Sequence, residues 1–348
     1  MTAIPAGEPS APVYVGREQF LAAAKGLVVR PLRVEDEAAW RVLYPQFAEH
    51  YTVPVRDENQ SRVWQWLMDP DYPLEGIGAY DSEGRMMGLA HFRPFPRPLS
   101  GTTGCFLDDL LVDRAAHGSG AADALMHSLR QICVDRGWTV VRWITADDNY
   151  RARRMYDRFA LRTMWITYDM APGNADALDA TPRNDTDRAG INVRPVAEND
   201  KAQWRGLYSQ YAEHYRVAVS AEHQDVVWSW LMDPDHPESG IVAETPGGEL
   251  VGLAHFRPFT RPLAASEGCF LDDLLVDSNM RGSGAVDALL DRLRSISAER
   301  QWTVIRWITA DDNHRARSVY DKYSTRTMWV IYDMTPGTMP SELSEVLL

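Results

Sequence analysis

Residues 112–125 read Val-Asp-Arg-Ala-Ala-His-Gly-Ser-Gly-Ala-Ala-Asp-Ala-Leu, and residues 276–289 read Val-Asp-Ser-Asn-Met-Arg-Gly-Ser-Gly-Ala-Val-Asp-Ala-Leu. Each stretch follows a strand-like run and leads through a glycine turn into a helical pattern of apolar residues. Free backbone N–H groups and the positive end of the helix dipole meet at such a turn, and both suit a pyrophosphate. The pattern predicts a phosphate-binding loop, with a plain glycine turn as the alternative.

Two well-known phosphate-binding motifs are excluded for this loop. No Gly-Lys-Ser/Thr follows the glycines, so it is not a Walker loop, and the three-glycine spacing of the dinucleotide fingerprint is absent. The sequence therefore predicts a phosphorylated cofactor without naming it.

The loop occurs twice because most of the chain is duplicated. Matched residues are separated by 164 positions each time, as in Trp40 and Trp204, His91 and His255, Asp108 and Asp272, Asn149 and Asn313, and Tyr156 and Tyr320. The two copies align without a gap and are identical at roughly six in ten positions. Two domains of one kind are therefore expected, and the positions at which the copies differ are the informative ones.

The duplication sets the expected boundaries. We predict an N-terminal extension at 1–27, a first domain at 28–170, a linker at 171–191, a second domain at 192–334 and a C-terminal tail at 335–348. Within each copy, several adjacent strands are followed by a strand, helix, strand, helix series. This order predicts an α/β (α+β type) fold in which a mixed, twisted sheet carries flanking helices.

Composition limits the classes of function. With 348 residues, 45% hydrophobic and 24% charged, the chain suits two ordinary globular cores. A net charge of -13 argues against nucleic-acid binding. The cysteines Cys105, Cys133 and Cys269 lack C-x-x-C spacing, which argues against a disulfide framework and a metal site. No apolar stretch suggests a membrane span or an export signal, so a cytoplasmic protein is expected.

Three ordered motifs carry a family resemblance. They are the acidic strand that begins Phe106-Leu-Asp-Asp-Leu, the Arg281-Gly-Ser-Gly-Ala loop, and the stretch from Trp307 to Tyr320 that contains Asp-Asp-Asn-His-Arg-Ala-Arg. In this order they resemble the GNAT N-acetyltransferases, and within them the branch of polyamine, histone and D-amino-acid acetylating enzymes. The resemblance covers both copies nearly end to end.

The resemblance implies that each copy binds acetyl-CoA through the loop and the strand before it. The cofactor residues implied for the first copy are Leu110, Leu111, Val112, His117, Gly118, Ser119, Gly120, Ala121, Ala122 and Asn149. Those implied for the second copy are Leu274, Leu275, Val276, Arg281, Gly282, Ser283, Gly284, Ala285, Val286 and Asn313. The family arginine is replaced by His117 in copy one, and Val286 stands at the close-approach position in copy two. Both sites therefore remain candidates.

The resemblance also implies the catalytic residues. Tyr156 and Tyr320 match the family tyrosine that donates a proton to the departing thiolate, and backbone N–H groups near Leu110 or Leu274 would polarise the carbonyl. Asp108 and Asp272 stand where polyamine-type relatives have a glutamate that draws a proton from the amine. A hydrogen-bonded structural acid is an equal alternative, and a regular strand would turn the next aspartates, Asp109 and Asp273, to the opposite face. Asn149 and Asn313 have a simpler alternative role as helix caps.

An aromatic and acidic cluster precedes these motifs in each copy. The candidate acceptor residues are Tyr44, Glu49, Tyr51, His91 and Arg93 in copy one, and Tyr208, Glu213, Tyr215, His255 and Arg257 in copy two. Aromatic faces and carboxylates hold alkylammonium groups, and an arginine can clamp a substrate carboxylate. His50, Trp64 and Trp66, with their counterparts, belong to the same region, and the alternative for the tryptophans is a place in the core or an interface.

The sequence thus predicts an N-acetyltransferase that moves an acetyl group from acetyl-CoA to a primary amine of a small molecule, in a ternary complex without a covalent enzyme intermediate. A polyamine, an amino acid and an amino-acid-like antibiotic precursor all fit the acceptor. The two domains are expected to pack as an intramolecular pseudo-dimer, with further homodimerisation open. The alternatives are one catalytic half beside a scaffold half, or a CoA-binding regulator without catalysis.

Overall fold

The computed structural model describes residues 26–51, 53–54, 56–173 and 190–337. Most of the expected N-terminal extension, linker and tail lies outside the described residues. The helices are α1 (Glu37–His50), α2 (Asp57–Met68), α3 (Ala121–Asp135), α4 (Tyr150–Tyr156), α5 (Lys201–His214), α6 (Ala221–Met232), α7 (Ala285–Glu299) and α8 (His314–Tyr323).

Fourteen strands are assigned within these residues. They are β1 (Val28–Pro31), β2 (Glu75–Tyr80), β3 (Met86–Arg97), β4 (Thr102–Val112), β5 (Val141–Ala146), β6 (Leu161–Arg162), β7 (Trp165–Met170), β8 (Asn192–Pro195), β9 (Ser239–Glu244), β10 (Leu250–Arg261), β11 (Ser266–Val276), β12 (Ile305–Ala310), β13 (Thr325–Arg326) and β14 (Trp329–Met334). They form two mixed seven-stranded sheets with flanking helices, as the sequence predicts.

Each sheet is completed by a strand from the other half of the chain. The first sheet has the order β1-β2-β3-β4-β5-β14-β6, and the second has the order β13-β7-β12-β11-β10-β9-β8. The antiparallel pairing of β14 with β5 runs from Trp329 opposite Ala146 to Met334 opposite Val141. The pairing of β7 with β12 repeats this register in the second sheet. The two halves therefore exchange their last long strands.

The exchanged strands also enter the hydrophobic cores. Val330, Tyr332 and Met334 of β14 are buried in the core between the first sheet and α3. Ile166, Tyr168 and Met170 of β7 take the same places against α7. Alternate residues of each strand thus supply a core that belongs to the other half.

The opposite faces of the sheets are covered by α1 with α2 and by α5 with α6. In the first half Trp40 and Trp64 are buried there. In the second half Trp204 and Trp228 are buried in the same way. Trp64 is therefore a core residue, which is the alternative stated above for the tryptophans of the acceptor region.

The long strand β3 includes Pro94 and Pro96. β2 pairs with β3 only as far as Phe92, whereas β4 pairs with it to Arg97. The second half of β3 therefore has one open edge, where a proline that lacks an N–H group is tolerated.

Candidate functional site

The two central strands of each sheet separate, and this separation creates the site. β4 and β5 pair in parallel only at Cys105 with Val141 and Phe106 with Arg142. β11 and β12 pair over the same short distance in the second sheet. Beyond these pairs the edge of β4 that faces β5 has no ladder partner, so its backbone groups are open to a ligand.

In the first half the gap opens into a cleft of about 610 Å³. All ten predicted first-half cofactor residues line it, together with Tyr51 and Tyr156. The cleft therefore joins the glycine loop, the open edge of β4 and the phenol of Tyr156. That these residues contact a cofactor stays a prediction.

The loop has the backbone conformation that the glycines predict. Gly118 and Gly120 have φ angles of 86° and 92°, a region that L side chains rarely adopt. α3 begins at Ala121, whose N–H group donates to the Ser119 hydroxyl over 3.2 Å. The next first-turn amides have no carbonyl of the preceding turn to bond. A concave loop with free amides at a helix N-terminus fits a diphosphate such as that of CoA.

The second loop repeats this geometry at Gly282 and Gly284, with φ angles of 85° and 81°. Arg281 is exposed, as is His117 at the matched position. Val286 is half-buried and packs against the core beneath α7. Part of the valine side chain is therefore directed to the core, which weakens the expectation that its methyl groups occupy the cofactor position.

Tyr156 lies at the end of α4 and is held by rings from both halves. Its ring centroid lies 5.1 Å from that of Trp143 and 5.5 Å from that of Tyr332 on the exchanged strand β14. Tyr320 has the same relation to Trp307 and to Tyr168. Burial raises the pKa of both phenols above the usual value, so each carries its proton at neutral pH.

Asn149 caps α4, as its alternative role predicts. Its side-chain oxygen accepts from the Ala152 N–H over 3.4 Å, and its amide donates to the Thr145 hydroxyl over 3.1 Å. Asn313 makes the matching contacts in the second half. The cap fixes the orientation of the helix that carries the tyrosine.

The acidic strand is not regular. His91 pairs with Asp109 while its neighbour Phe92 pairs with Leu107, so Asp108 is the extra residue of a β-bulge. Asp272 is the extra residue in the second half. Because of the bulge, Asp272 and Asp273 line the same cavity. The expectation that consecutive aspartates face opposite sides was made for a regular strand and therefore does not apply here.

Asp109 belongs to a buried hydrogen-bond network. Trp40 donates its indole N–H to His91 Nε2 over 3.0 Å, and His91 Nδ1 lies 2.8 Å from Asp109 Oδ2. Since indole only donates, Nε2 accepts, and the ring proton lies on Nδ1 and is donated to Asp109. Tyr44 also donates to Asp109, over 3.1 Å.

The network and the burial of its neighbours bear on the expected roles of four residues. His91 is fully buried with both ring nitrogens bonded, and His255 is bonded to Trp204 and Asp273 in the same way. Tyr44 and Tyr208 are buried and stack on the tryptophans beside them. No polar atom of the histidines is left for an acceptor, and both tyrosines are buried, which argues against an acceptor-binding role for these four side chains.

The arginines of the same strands are paired within the protein. Arg93 Nε lies 3.1 Å from Asp108 Oδ2, and Arg257 Nε lies 2.9 Å from Asp272 Oδ2. All four side chains are buried, and burial raises the pKa of both aspartates to about 7 against the effect of the arginines. A substrate carboxylate would have to displace an aspartate to reach Arg93 or Arg257, which argues against the predicted clamp.

The remaining acceptor candidates divide between cleft and surface. Tyr51 and Tyr215 are half-buried and line cavities, and that they contact an acceptor stays a prediction. Glu49 and Glu213 are exposed, and Glu49 pairs with Arg114 at 2.8 Å on the surface. The His50 side chain lies outside the described part of the structure.

The profile of the Acetyltransferase (GNAT) family matches the chain twice, over residues 40–160 and 204–324. This chain belongs to the GNAT acetyltransferase family. It is an N-acetyltransferase with tandem domains, and acyl-CoA is the general donor of such enzymes.

Other proteins resemble this tandem GNAT enzyme. A D-amino-acid N-acetyltransferase of Saccharomyces cerevisiae is 25% identical over 143 residues, which cover 41% of this chain and 89% of that protein. A tandem GNAT protein from the clavulanic acid biosynthesis pathway has a TM-score of 0.50 at 17% identity, with 90% and 99% of the two chains covered. The glucosamine N-acetyltransferase region of a fungal β-N-acetylglucosaminidase has a TM-score of 0.58 at 11% identity. The match covers 90% of this chain and 38% of that longer protein. The structural likenesses show the fold alone.

Sequence reasoning missed three kinds of residue in this GNAT protein. Trp165 and Leu99 of the first half line a cavity beside the acidic residues of the second half, and nothing in the repeat pattern signals that. Tyr332 packs on Tyr156 only because of the strand exchange. Glu238 is buried. The sequence alone shows that a glutamate stands here where the first half has Leu74, and this difference could have drawn attention to the position.

No helix within the described ranges combines the length and the apolar composition needed to cross a membrane.

Proposed function

We propose that this protein transfers the acetyl group of acetyl-CoA directly to a primary amine of a small molecule. The observation that carries the proposal is the cleft of the first half, in which the loop of α3, the open edge of β4 and Tyr156 meet. The loop offers helix amides to a diphosphate, and the open strand edge offers N–H groups to a carbonyl oxygen. When bound, acetyl-CoA supplies the activated acetyl group as a thioester.

The residues around the cleft have distinct parts in the proposed reaction. Tyr156, which lines the cleft, and its counterpart Tyr320 hold a proton on the phenol, and neighbouring rings pack against each of them. Asp108 and Asp272 remain candidates for accepting the proton of the ammonium group, because burial places their pKa at about 7. The buried histidine and tryptophan behind the bulge keep the neighbouring Asp109 and Asp273 in place.

The burial of the cysteines favours direct transfer of the acetyl group over transfer through a covalent acyl-enzyme intermediate. Cys105, Cys133 and Cys269 are all buried, so none of their thiols is exposed to take up an acyl group. A ternary complex of donor, acceptor and enzyme therefore fits the side chains at the site better than a covalent enzyme intermediate.

The test begins with binding and ends with turnover. We expect calorimetry to detect binding of CoA and acetyl-CoA, and we expect free thiol to appear when an amine is added. Tyr156→Phe and Tyr320→Phe should each lower kcat at their own site by about 10²–10⁴, and the double variant should lose both activities. Tyr150→Phe is the matched control, since Tyr150 is 73% exposed at the start of the same helix as Tyr156.

Two other outcomes would support the alternatives. If one single variant is as inactive as the double variant, only that half is catalytic and the other is a scaffold. If CoA binds but no amine in a broad panel releases thiol, the protein is a CoA-binding regulator. Absence of any CoA binding by folded protein would overturn the proposal altogether.

A further inference from the structure

A second cavity, of about 250 Å³, lies where the two halves meet. One end is formed by the second half, with Asp272 and Asp273 of the bulge and Tyr211 and Tyr215 of α5 and its C-cap. These residues occupy the acceptor side of the second sheet. Tyr215 matches Tyr51, which lines the cleft of the first half.

The facing wall of this cavity comes from the first half. Trp165 lies on the exchanged strand β7, and its ring centroid is 6.0 Å from that of Tyr215. Leu99 lies in the turn after β3 and packs against the aromatic core of the second half. That turn is fixed by His223 of α6, whose Nε2 is 3.0 Å from the Pro98 carbonyl oxygen. The cavity is therefore built from both halves.

Most of the cavity wall is apolar. Phe95, Phe259, Phe270 and Ile308 line it beside Trp165 and Leu99. A second ammonium group on a ligand would have to lose its hydration against these side chains and near the arginines that also line the cavity, which is costly. An apolar substituent would instead gain from leaving water, at about 25 cal/mol per Å² of buried surface.

The charges at the cavity are mostly balanced within the protein. Arg257 pairs with Asp272 at 2.9 Å, Arg306 pairs with Asp169 at 2.7 Å, and Arg142 pairs with Asp333 at 2.7 Å. Asp273 is bonded to His255, which is neutral because Nε2 accepts from Trp204. Arg93 pairs with Asp108 at 3.1 Å, and Arg97, which also lines the cavity, donates to the Thr139 hydroxyl over 2.7 Å. Of the two lining aspartates, Asp273 is therefore the one that is not paired with an arginine, and it is the group that can hold one ammonium group.

We propose that the acceptor of the second site is a small monoamine with an apolar substituent, and that Trp165 of the first half selects it. The proposal rests on the proposed acetyltransferase function and narrows its acceptor class. The volume is just below the roughly 300–1,000 Å³ of pockets for drug-sized ligands, which suits a single ring or a branched alkyl group. It disfavours diamines and longer polyamines at this site.

The kinetic test isolates the second site with Tyr156→Phe in an otherwise full-length chain. In this background we expect 2-phenylethylamine and 3-methylbutylamine to have a kcat/KM at least tenfold above that of 1,4-diaminobutane. Trp165→Ala should raise KM for the two apolar amines by about tenfold with a smaller change in kcat, since the lost contact binds the substituent. Trp165→Phe should restore most of the affinity. Met164→Ala is the control, because Met164 is 75% exposed beside Trp165 and should leave KM unchanged.

Calorimetry gives a readout that does not depend on turnover. 2-Phenylethylamine is titrated into the same variants in the presence of CoA, and circular dichroism reports whether each variant is folded. We expect binding that weakens by about tenfold in folded Trp165→Ala and is retained in Trp165→Phe.

The outcomes separate this proposal from the general function. If the diamine is the better acceptor, or if folded Trp165→Ala binds and turns over the apolar amines normally, the cavity proposal is wrong while the acetyltransferase stands. If no amine is acetylated but 2-phenylethylamine binds and requires Trp165, the cavity is an apolar-amine site and the proposed reaction is wrong. If Trp165→Ala does not fold, loss of binding in Leu99→Asp with retained CoA binding supports the proposal, and retained amine binding overturns it.

Discussion

Glu238 occupies a core position of the second half at which the first half has Leu74. Leu74 is 1% exposed and packs with Trp40 and Tyr44, whereas Glu238 is 2% exposed and neither carboxyl oxygen has a hydrogen-bond partner among the described residues. Burial, with the nearby charge of Asp272, raises the pKa of Glu238 well above its usual value. A buried polar group without partners lowers stability.

We therefore expect Glu238→Leu to raise the free energy of unfolding at pH 7 by roughly 1–3 kcal/mol. The difference in the free energy of unfolding between Glu238→Leu and the wild-type protein should grow with pH. Below the unfolded-state pKa of about 4.3, the carboxyl is protonated in both states. As the pH rises, the unfolded chain releases the proton first, so the wild-type protein loses stability until the folded-state pKa is passed. Urea unfolding of both proteins between pH 4 and pH 8 measures this difference.

Leu74→Glu is the reciprocal variant. It should lower the free energy of unfolding, and more at pH 8 than at pH 4, because it creates the same buried carboxyl in the first half. A Glu238→Leu protein that is less stable than wild type at pH 7 would show that Glu238 has a favourable partner in the folded protein.

At the scale of the elements, the bulge and the strand exchange position the site. At the bulge, Asp108 pairs with an arginine and Asp109 joins the histidine network. The exchanged strands place Tyr332 and Tyr168 against the two candidate catalytic tyrosines. Each site therefore depends on the correct seating of a strand from the other half.

Ion pairs hold each exchanged strand in register with its neighbour. Arg142 on β5 donates two hydrogen bonds of 2.7 Å to Asp333 on β14, and Arg306 on β12 pairs with Asp169 on β7 in the same way. The Arg142 and Asp333 side chains are 14% and 25% exposed, so water screens the pair only partly.

We expect Asp333→Ala to lower the free energy of unfolding by about 1.5–3 kcal/mol, because it leaves Arg142 without its carboxylate. Asp169→Ala should have a similar effect through Arg306. Chemical denaturation measures both, and Glu299→Ala is the control, since its pair with Arg292 lies at the surface and should contribute little. Equal stability of Asp333→Ala and wild type would show that the backbone ladder alone holds the exchanged strand.

At the scale of the whole molecule, the halves are joined by two complete strand exchanges. β7 reads Trp-Ile-Thr-Tyr-Asp-Met and β14 reads Trp-Val-Ile-Tyr-Asp-Met, so the two are nearly interchangeable. A fragment that ends near Gly173 would contain β7 but lack the β14 that completes its sheet.

We expect residues 26–173, produced alone, to form a dimer in which two copies of β7 are exchanged. Pairing in this way covers the edge of β5 and buries Ile166, Tyr168 and Met170, all of which would otherwise meet water. Light scattering after size-exclusion chromatography gives the mass. A stable, folded monomer would show that β7 can fold back onto its own β5.

Much of the fold and part of the site were predictable from the sequence. The duplication, the order of strands and helices and the glycine loop are local or repeated patterns, and the loop, Asn149 and Tyr156 do meet in one cleft. Such patterns suffice because turn conformation, helix starts and alternating burial depend on residues close together in the chain.

Only the tertiary structure decided which half each last strand joins. β7 and β14 present nearly the same side chains and identical backbone groups, so the sequence favours neither partner. The bulge at Asp108, the paired state of Arg93 and the place of Trp165 in the cavity beside Asp273 likewise depend on contacts between distant segments. The sequence determined the local conformations and the family, and long-range packing determined which residues line the cavity between the halves, because that cavity is built where the two halves touch.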